Sequence, residues 1–305
     1  MKKKSNITVI GSSNTDMVVM TSHFPAPGET ILGGEFLMNA GGKGANQAVA
    51  AAKCGGEVFF IGKVGQDIFG ENAVKNIQKE GIDVSGISTD PDAASGVAQI
   101  IVDKKGENSI VVAPGANLKL NRSDIDHVIE LIEQADIVLM QLEIPVDTIL
   151  YTAKKAHKLG KKVILNPAPA TSLPDELFEY LYMITPNESE TELLTGIKVT
   201  DQSSATKAAE GLKKRGVENV IITMGSKGAF VSSDNVNEIV PSYEVKAVDT
   251  TAAGDCFNGV LAVGLGKGMD IIESVRFANR AASIAVTRAG AQVSLPTREE
   301  VENSL

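Results

Sequence analysis

Residues 249–259 read Asp249-Thr250-Thr251-Ala252-Ala253-Gly254-Asp255-Cys256-Phe257-Asn258-Gly259. A turn of small and polar residues opens here into an apolar helix. Such a turn aims several backbone N–H groups outward at a helix N-terminus, which is a ready anion site. Gly254 lets the backbone approach that anion closely. Asp255 then sets a carboxylate beside it. Next to a bound phosphate, that carboxylate can take a hydroxyl proton while the amides hold the phosphoryl group in transfer. Taken alone, Asp255 reads first as a helix N-cap. The flanking Ala252-Ala253-Gly254 and the motifs that accompany it turn the reading toward chemistry.

Four other segments carry polar groups in suggestive places. Asn39-Ala40-Gly41-Gly42-Lys43-Gly44-Ala45-Asn46-Gln47 has three glycines that let the backbone close on a small ligand, with Lys43 and Asn46 as polar contacts. By itself it reads equally as a helix-start turn. It is not a P-loop, which needs Ser or Thr after Gly-Lys, and no P-loop occurs in the chain. Gly11-Ser12-Ser13-Asn14-Thr15-Asp16 follows the first strand, and strand carboxyl ends are where α/β sheets bind ligands; Asn14 and Asp16 can hydrogen-bond vicinal hydroxyls. The segment lacks the dinucleotide glycine fingerprint, which weighs against an NAD-dependent dehydrogenase. In Thr185-Pro186-Asn187-Glu188-Ser189-Glu190, Asn187 and Glu190 are three apart and share a helix face. They suit a magnesium shell that keeps its waters, or simply a capped helix start. Thr223-Met224-Gly225-Ser226-Lys227-Gly228 follows a strand and reads either as a nucleotide-lining turn or as a tight hairpin turn.

The elements that must position these groups alternate. Short apolar runs at 7–10, 58–61, 137–140, 163–165, 182–185 and 220–223 predict strands apolar on both faces. Helical patterns are expected at 45–53, 69–80, 122–133, 146–158, 203–215, 256–264 and 271–287. This rhythm predicts an α/β fold with a doubly wound, mostly parallel sheet flanked by helices. Two regions break it: 15–39, with a strand-like stretch at 29–36, and 96–112, a hairpin with a polar Lys104-Lys105-Gly106-Glu107-Asn108 turn. They predict a small β-sheet lid, discontinuous in sequence (about residues 15–40 and 96–112), on a single domain spanning 1–305.

Composition removes other classes. The 305 residues carry a net charge of −9, a poor match for nucleic acid or an anionic membrane. The three histidines, His23, His127 and His157, have no metal-ligand spacing, which argues against a zinc enzyme or a Ser-His-Asp hydrolase. Cys54 and Cys256 read as free buried thiols, inert in spite of Cys256 lying next to Asp255. The basic residues 2–4 are followed by a strand rather than a signal-peptide core, and no run of about 18 apolar residues occurs. A cytoplasmic protein is expected.

Taken together, Gly41-Gly42-Lys43-Gly44-Ala45-Asn46-Gln47 and Asp249-Thr250-Thr251-Ala252-Ala253-Gly254-Asp255 resemble the two signatures of the phosphofructokinase-B sugar kinases, in that order and at their usual separation. Over the whole chain the match is to the ribokinase branch of that family. The resemblance implies a ribokinase-like fold and ATP-dependent phosphorylation of a small sugar, ribose first. It makes Asp255 the base and Ala252, Ala253 and Gly254 the anion hole. Asn14, Asp16, Gly42, Lys43, Asn46 and Glu143, the last in Gln141-Leu142-Glu143-Ile144-Pro145, would hold the sugar. Asn187, Glu190, residues Thr223, Met224, Gly225, Ser226, Lys227 and Gly228, and Asn279 would serve ATP and its magnesium. A potassium ion would lie at Asp249, Thr251, Ala285, Arg288, Gly290 and Ser294, some through backbone carbonyls only. It also implies a homodimer formed through the lid. Cys256 is a small departure, since Thr is common after the base. The alternatives are a kinase for another small sugar or a nucleoside, and a sugar-binding regulator without catalysis, which the intact Gly254 and Asp255 oppose.

Overall fold

The computed structural model describes residues 5–234 and 236–304; the basic residues 2–4 lie outside them. The strands are β1 (Asn6–Ile10), β2 (Asn14–Met20), β3 (Phe36–Gly41), β4 (Glu57–Gly65), β5 (Asp83–Asp90), β6 (Gly96–Val102), β7 (Asn108–Ala113), β8 (Ile137–Met140), β9 (Lys162–Leu165), β10 (Met183–Ile184), β11 (Asn219–Thr223), β12 (Ala229–Ser232) and β13 (Asn237–Val240). The helices are α1 (Lys43–Lys53), α2 (Ile68–Lys79), α3 (Arg122–His127), α4 (Ile129–Glu133), α5 (Val146–Lys158), α6 (Asp175–Phe178), α7 (Glu188–Thr195), α8 (Gln202–Lys214), α9 (Ala253–Gly266), α10 (Ile271–Ala285) and α11 (Arg298–Asn303).

A nine-stranded sheet runs in the order β13-β12-β11-β10-β9-β8-β1-β4-β5. From β5 to β11 every pairing is parallel, and the β11–β12–β13 edge is antiparallel. Each central strand feeds a core on both faces. Ile137 and Leu139 of β8 point into a cluster with α1, α9 and α10, while Val138 and Met140 point into one with α3–α6 and α8. That two-sided burial is why these strands are continuous apolar runs. It also puts the ends of β1, β8, β9, β10 and β11 on one edge, where Gly11, Gln141, Asn166, Thr185 and Met224 follow them.

The second sheet has the order β3-β2-β6-β7. β2 pairs antiparallel with β3 and parallel with β6, and β6–β7 is the hairpin expected at 96–112. The strand-like stretch at 29–36 is corrected: only Phe36 is in a strand, and the strand runs on to Gly41. Gly33 and Gly34 interrupt the stretch, and interior glycine weakens a strand. The single helix expected at 122–133 is also corrected, for Val128 leaves the helical region (φ −125, ψ 29) and separates α3 from α4. The β-branched pair Val128-Ile129 has low helix propensity, and the break lets Ile125 on one side and Leu131 and Ile132 on the other reach the core.

Candidate functional site

Helix α9 begins at Ala253, so Ala253, Gly254 and Asp255 are its first turn rather than a loop before it. Ala252 ahead of them is left-handed (φ 61), and no side chain caps the helix. A non-glycine residue in that region costs about 1–2 kcal/mol, a strain typical of functional turns. Ala253 N donates to Thr250 O at 3.2 Å, and with no side chain capping the rest of the first turn the positive end of the helix stays open. From Asp255 to Gly266 the helix is buried, packed on α1 and α10.

The Asp255 carboxylate is held by α1. Asn46 Nδ2 donates to Oδ2 at 3.0 Å and Gln47 Nε2 to Oδ1 at 2.9 Å. Burial raises its pKa, while Lys43, Gln47 and Asn46 pull it back down and Glu143 adds to the rise. A carboxyl raised by desolvation yet held by donors is a stronger base than an exposed one.

The residues expected to read a sugar gather beside it. Asn14 and Asp16 lie on β2, whose first residue pairs with Gly41 at the end of β3. Gly42 is the N-cap of α1 (φ 89); a Cβ there would meet Asn14 N at 2.7 Å. Glu143, after β8, accepts from Ser12 Oγ and from Lys43 N at 3.0 Å. Asn14 Oδ1 accepts from Asn117 Nδ2 at 2.8 Å. Burial, with Glu143 and Asp255 nearby, pushes Asp16 up to about 6. Lys43 is the cation that faces this acidic group, lowering both Asp255 and Glu190.

On the other side of α9's first turn lies a cavity of about 870 Å³. Asn187, Thr223, Gly225, Ser226, Gly228, Gly254 and Asn279 line it, as expected of nucleotide contacts. Three expected contacts do not: Glu190, whose carboxylate is turned back to cap its own helix, Met224 and Lys227. Met224 is buried in the core, because it continues the inward alternation of β11. The Lys227 ammonium lies 3.8 Å from Glu188 and does not line the cavity. Asn187 and Glu190 form a reciprocal capping box, each side chain bonding the other's backbone N–H at 2.8 Å. Burial raises Glu190. Asn279 Nδ2 ties down Val240 O and Pro241 O at 3.1 and 3.2 Å. The sequence reading missed the apolar wall, made by Tyr243, Val245 and Ala247 after β13, Phe257 of α9, Ala282 of α10 and Val286 just past its end. Scattered apolar residues in an irregular segment give no periodic signal.

Of the residues expected at a monovalent cation, Asp249 joins two loops: Oδ1 accepts from Thr251 N and Oδ2 from Gly290 N, both at 2.9 Å. Burial works against its charge, but the Thr251 and Gly290 donors hold the carboxyl below its ordinary value. An ionised oxygen donor beside loop carbonyls suits a large hard cation. The Arg288 guanidinium is paired with Glu300, so only its carbonyl could face such an ion. The Ser294 hydroxyl bonds Ala291 O at 2.8 Å, and the Ala285 carbonyl accepts from Arg288 N at 3.1 Å. Among the described residues no cluster of three or more His, Cys, Asp and Glu could hold a metal ion. Burial raises the Cys54 thiol to about 12 and Cys256 well above its ordinary value, as befits inert core thiols.

Residues 4–298 match the sequence pattern of the pfkB family carbohydrate kinases. The chain is 46% identical over 297 residues to the ribokinase of Haemophilus influenzae, covering 97% of both chains. A crystal structure of Thermotoga maritima ribokinase superposes with a TM-score of 0.90 at 44% identity, over 97% of both chains. Arabidopsis thaliana ribokinase complexed with ribose and ATP superposes with a TM-score of 0.91 at 32% identity, over 98% of both.

Proposed function

We propose that this chain, which belongs to the pfkB family of carbohydrate kinases, transfers the γ-phosphoryl group of ATP to O5 of ribose and releases ribose 5-phosphate. The observation that carries the reading is the position of one turn of α9. Asp255 faces Asn46 on the sugar side, and the adjoining Gly254 lines the cavity on the nucleotide side. A hydroxyl and a terminal phosphate can therefore meet across two residues. Asp255 takes the O5 proton as O5 bonds to the γ-phosphorus and the bond from that phosphorus to the β–γ bridging oxygen breaks, releasing ADP. The turn Ala252-Ala253-Gly254 would offset the charge that spreads over the phosphoryl oxygens, the Gly254 amide directly and the Ala253 amide only once it leaves Thr250 O, to which it donates at 3.2 Å. Asn14, Asp16, Lys43, Asn46 and Glu143 orient the sugar. Hydroxyl-reading groups left unpaired by a wrong sugar make this kind of pocket selective.

The remaining parts of the reading rest on the same geometry. Magnesium would be reached from Asn187 and Glu190 through water and phosphate, and potassium would lie at the Asp249 loop; both would supply countercharge. The small sheet would act as a lid over the sugar and as the dimer contact. In favour of the contact, Phe36 and Met38 on edge strand β3 and Val111 on edge strand β7 are exposed apolar residues, and such edges are normally covered. No helix among the described residues is long and apolar enough to cross a membrane, and the reading places the enzyme in the cytoplasm.

A coupled assay of ADP release across ribose, 2-deoxyribose, fructose and a nucleoside tests the substrate. Ribose is expected to give the highest kcat/KM. Another sugar ahead of ribose by tenfold would replace it, and sugar binding by calorimetry with no ADP formed would favour a regulator.

A further inference from the structure

Gln47 follows the sugar-side Asn46 on α1 and has no solvent exposure. It cannot reach a substrate. Its side chain instead occupies the centre of a buried polar chain, and the direction of every bond in that chain can be deduced. The Thr185 carbonyl can only accept, so Asn166 turns Nδ2 to it at 3.2 Å and presents Oδ1 toward Gln47. Gln47 must then offer Nε2, which donates to Asn166 Oδ1 and to Asp255 Oδ1, both at 2.9 Å. Its Oε1 is left to accept from Gln141 Nε2 at 2.6 Å. Reversing the Gln47 amide would set an acceptor against two acceptors, so the arrangement has one consistent orientation.

The backbone holds this amide as firmly as the network does. At Gly259 on α9, a Cβ would fall 2.3 Å from Gln47 O, so α1 and α9 touch at this point. Gln141 and Asn166 stand at the ends of β8 and β9. Gln47 is thus anchored to the parallel sheet and reaches the Asp255 carboxylate across a helix contact.

We propose that Gln47 is a positioning residue for phosphoryl transfer: it fixes the Asp255 carboxylate from the Oδ1 side and leaves the sugar side of that group to the attacking hydroxyl. The assignment rests on the reading of Asp255 as the base. Without the Gln47 donor, a buried carboxylate loses one of the two hydrogen bonds that stabilise its charged form, so it holds a proton to higher pH. The other charged groups in reach are Lys43, which favours the charge, and Glu143, which opposes it. Asp16 and Glu190 also feel Asp255. None of the four changes when Gln47 is replaced.

The test reads the carboxyl directly. In ligand-free protein labelled with ¹³C at aspartate carboxyls, Asp255→Asn identifies the resonance of Asp255, and its titration is followed in wild type, Gln47→Met and Gln141→Met. The midpoint is expected to rise by about one pH unit in Gln47→Met, as loss of one hydrogen bond to a charged group implies, and by less in Gln141→Met, which frees Gln47. In kinetics, the acid limb of kcat/KM should move the same way, with kcat falling about tenfold while the sugar KM stays within about twofold. Thr152→Val, a comparably buried polar change in α5, should lower the melting temperature and leave the midpoint alone. An unmoved midpoint in folded Gln47→Met, or an equal shift in Thr152→Val, overturns the proposal. Should Gln47→Met fail to fold, Gln141→Met decides by the same criterion. If the wild type phosphorylates no sugar, the kinase reading fails while the titration still reports whether Gln47 governs Asp255.

Discussion

Asp255 stands between two faces of the proposed site that are built by different means. On the sugar side, polar side chains from β2, α1 and the loop after β8 bond to one another and to backbone at fixed positions. On the nucleotide side, the walls include glycine-rich backbone and an apolar surface, and Asn279 there is spent on holding Val240 and Pro241. A sugar is nearly all hydroxyls, so a pocket must answer it group by group. A nucleotide offers a flat base and a chain of anions, which shape and backbone amides can grip. The difference implies that selectivity for acceptor and donor can be damaged separately.

The largest expected effect falls where the two sides meet. Asp255→Asn should cut kcat by about 10²–10⁴-fold or more while the melting temperature stays close to wild type; steady-state rates beside thermal melts check it. Near-normal turnover would remove the base. A pair of glycine substitutions separates the sides. At Gly44 a Cβ would meet Ser12 N at 2.6 Å and the Gly11 carbonyl carbon at 2.7 Å, both backbone atoms. Gly44→Ala should therefore cost about 1–3 kcal/mol of stability and raise the sugar KM. At Gly225 a Cβ would meet nothing, and only its φ of +55 opposes a side chain. Gly225→Ala should cost about 1–2 kcal/mol and touch only the ATP KM. Denaturant melts and the two KM values read both, and effects on the same substrate would erase the distinction.

The smallest effect is on pH. Asp16, raised to about 6, should lose its charge as pH falls through 6, and ribose affinity should drop severalfold while the affinity of Asp16→Asn stays flat. The stability sign is opposite. An acid with a raised folded pKa disfavours the fold when charged, so this residue destabilises above about 6 and its penalty fades as pH falls toward 4. Calorimetry with ribose at pH 5 and 7.5, on both proteins, distinguishes the two trends.

Much of this was legible because physics writes it locally. The all-apolar Ile137–Met140, only four residues long, fits a strand covered on both faces, and the small-residue turn into α9, read with its companion motifs, pointed to an open helix end. The β5 strand was not legible: Asp83–Asp90 is largely polar, as an edge strand can be. Nor was the β12–β13 hairpin, whose strands are four residues each. Within the site, Asp255, Asn46 and Glu143 stood in recognisable motifs. Gln47 stood in one too, but its role depends on Gln141, Asn166 and Thr185, far off in sequence. A buried amide has no periodicity of its own, so only the assembled fold shows what it touches. Met224 shows the converse, since a residue inside a functional motif can belong to the core.

The path of the chain between the two sheets has a mechanical consequence. β1 runs into β2 through Gly11-Ser12-Ser13 alone, and β3 ends at Gly41, next to the Gly42 that starts α1. These two short joints are also where Ser12 meets Glu143 and where Lys43 N meets the same carboxylate. Any swing of the four-stranded sheet must be taken up at those joints and at the two others, residues 91–95 between β5 and β6 and Pro114 after β7. It would carry Asn14 and Asp16 toward or away from Asp255 as it moved, so that covering the sugar and aligning it would be a single displacement.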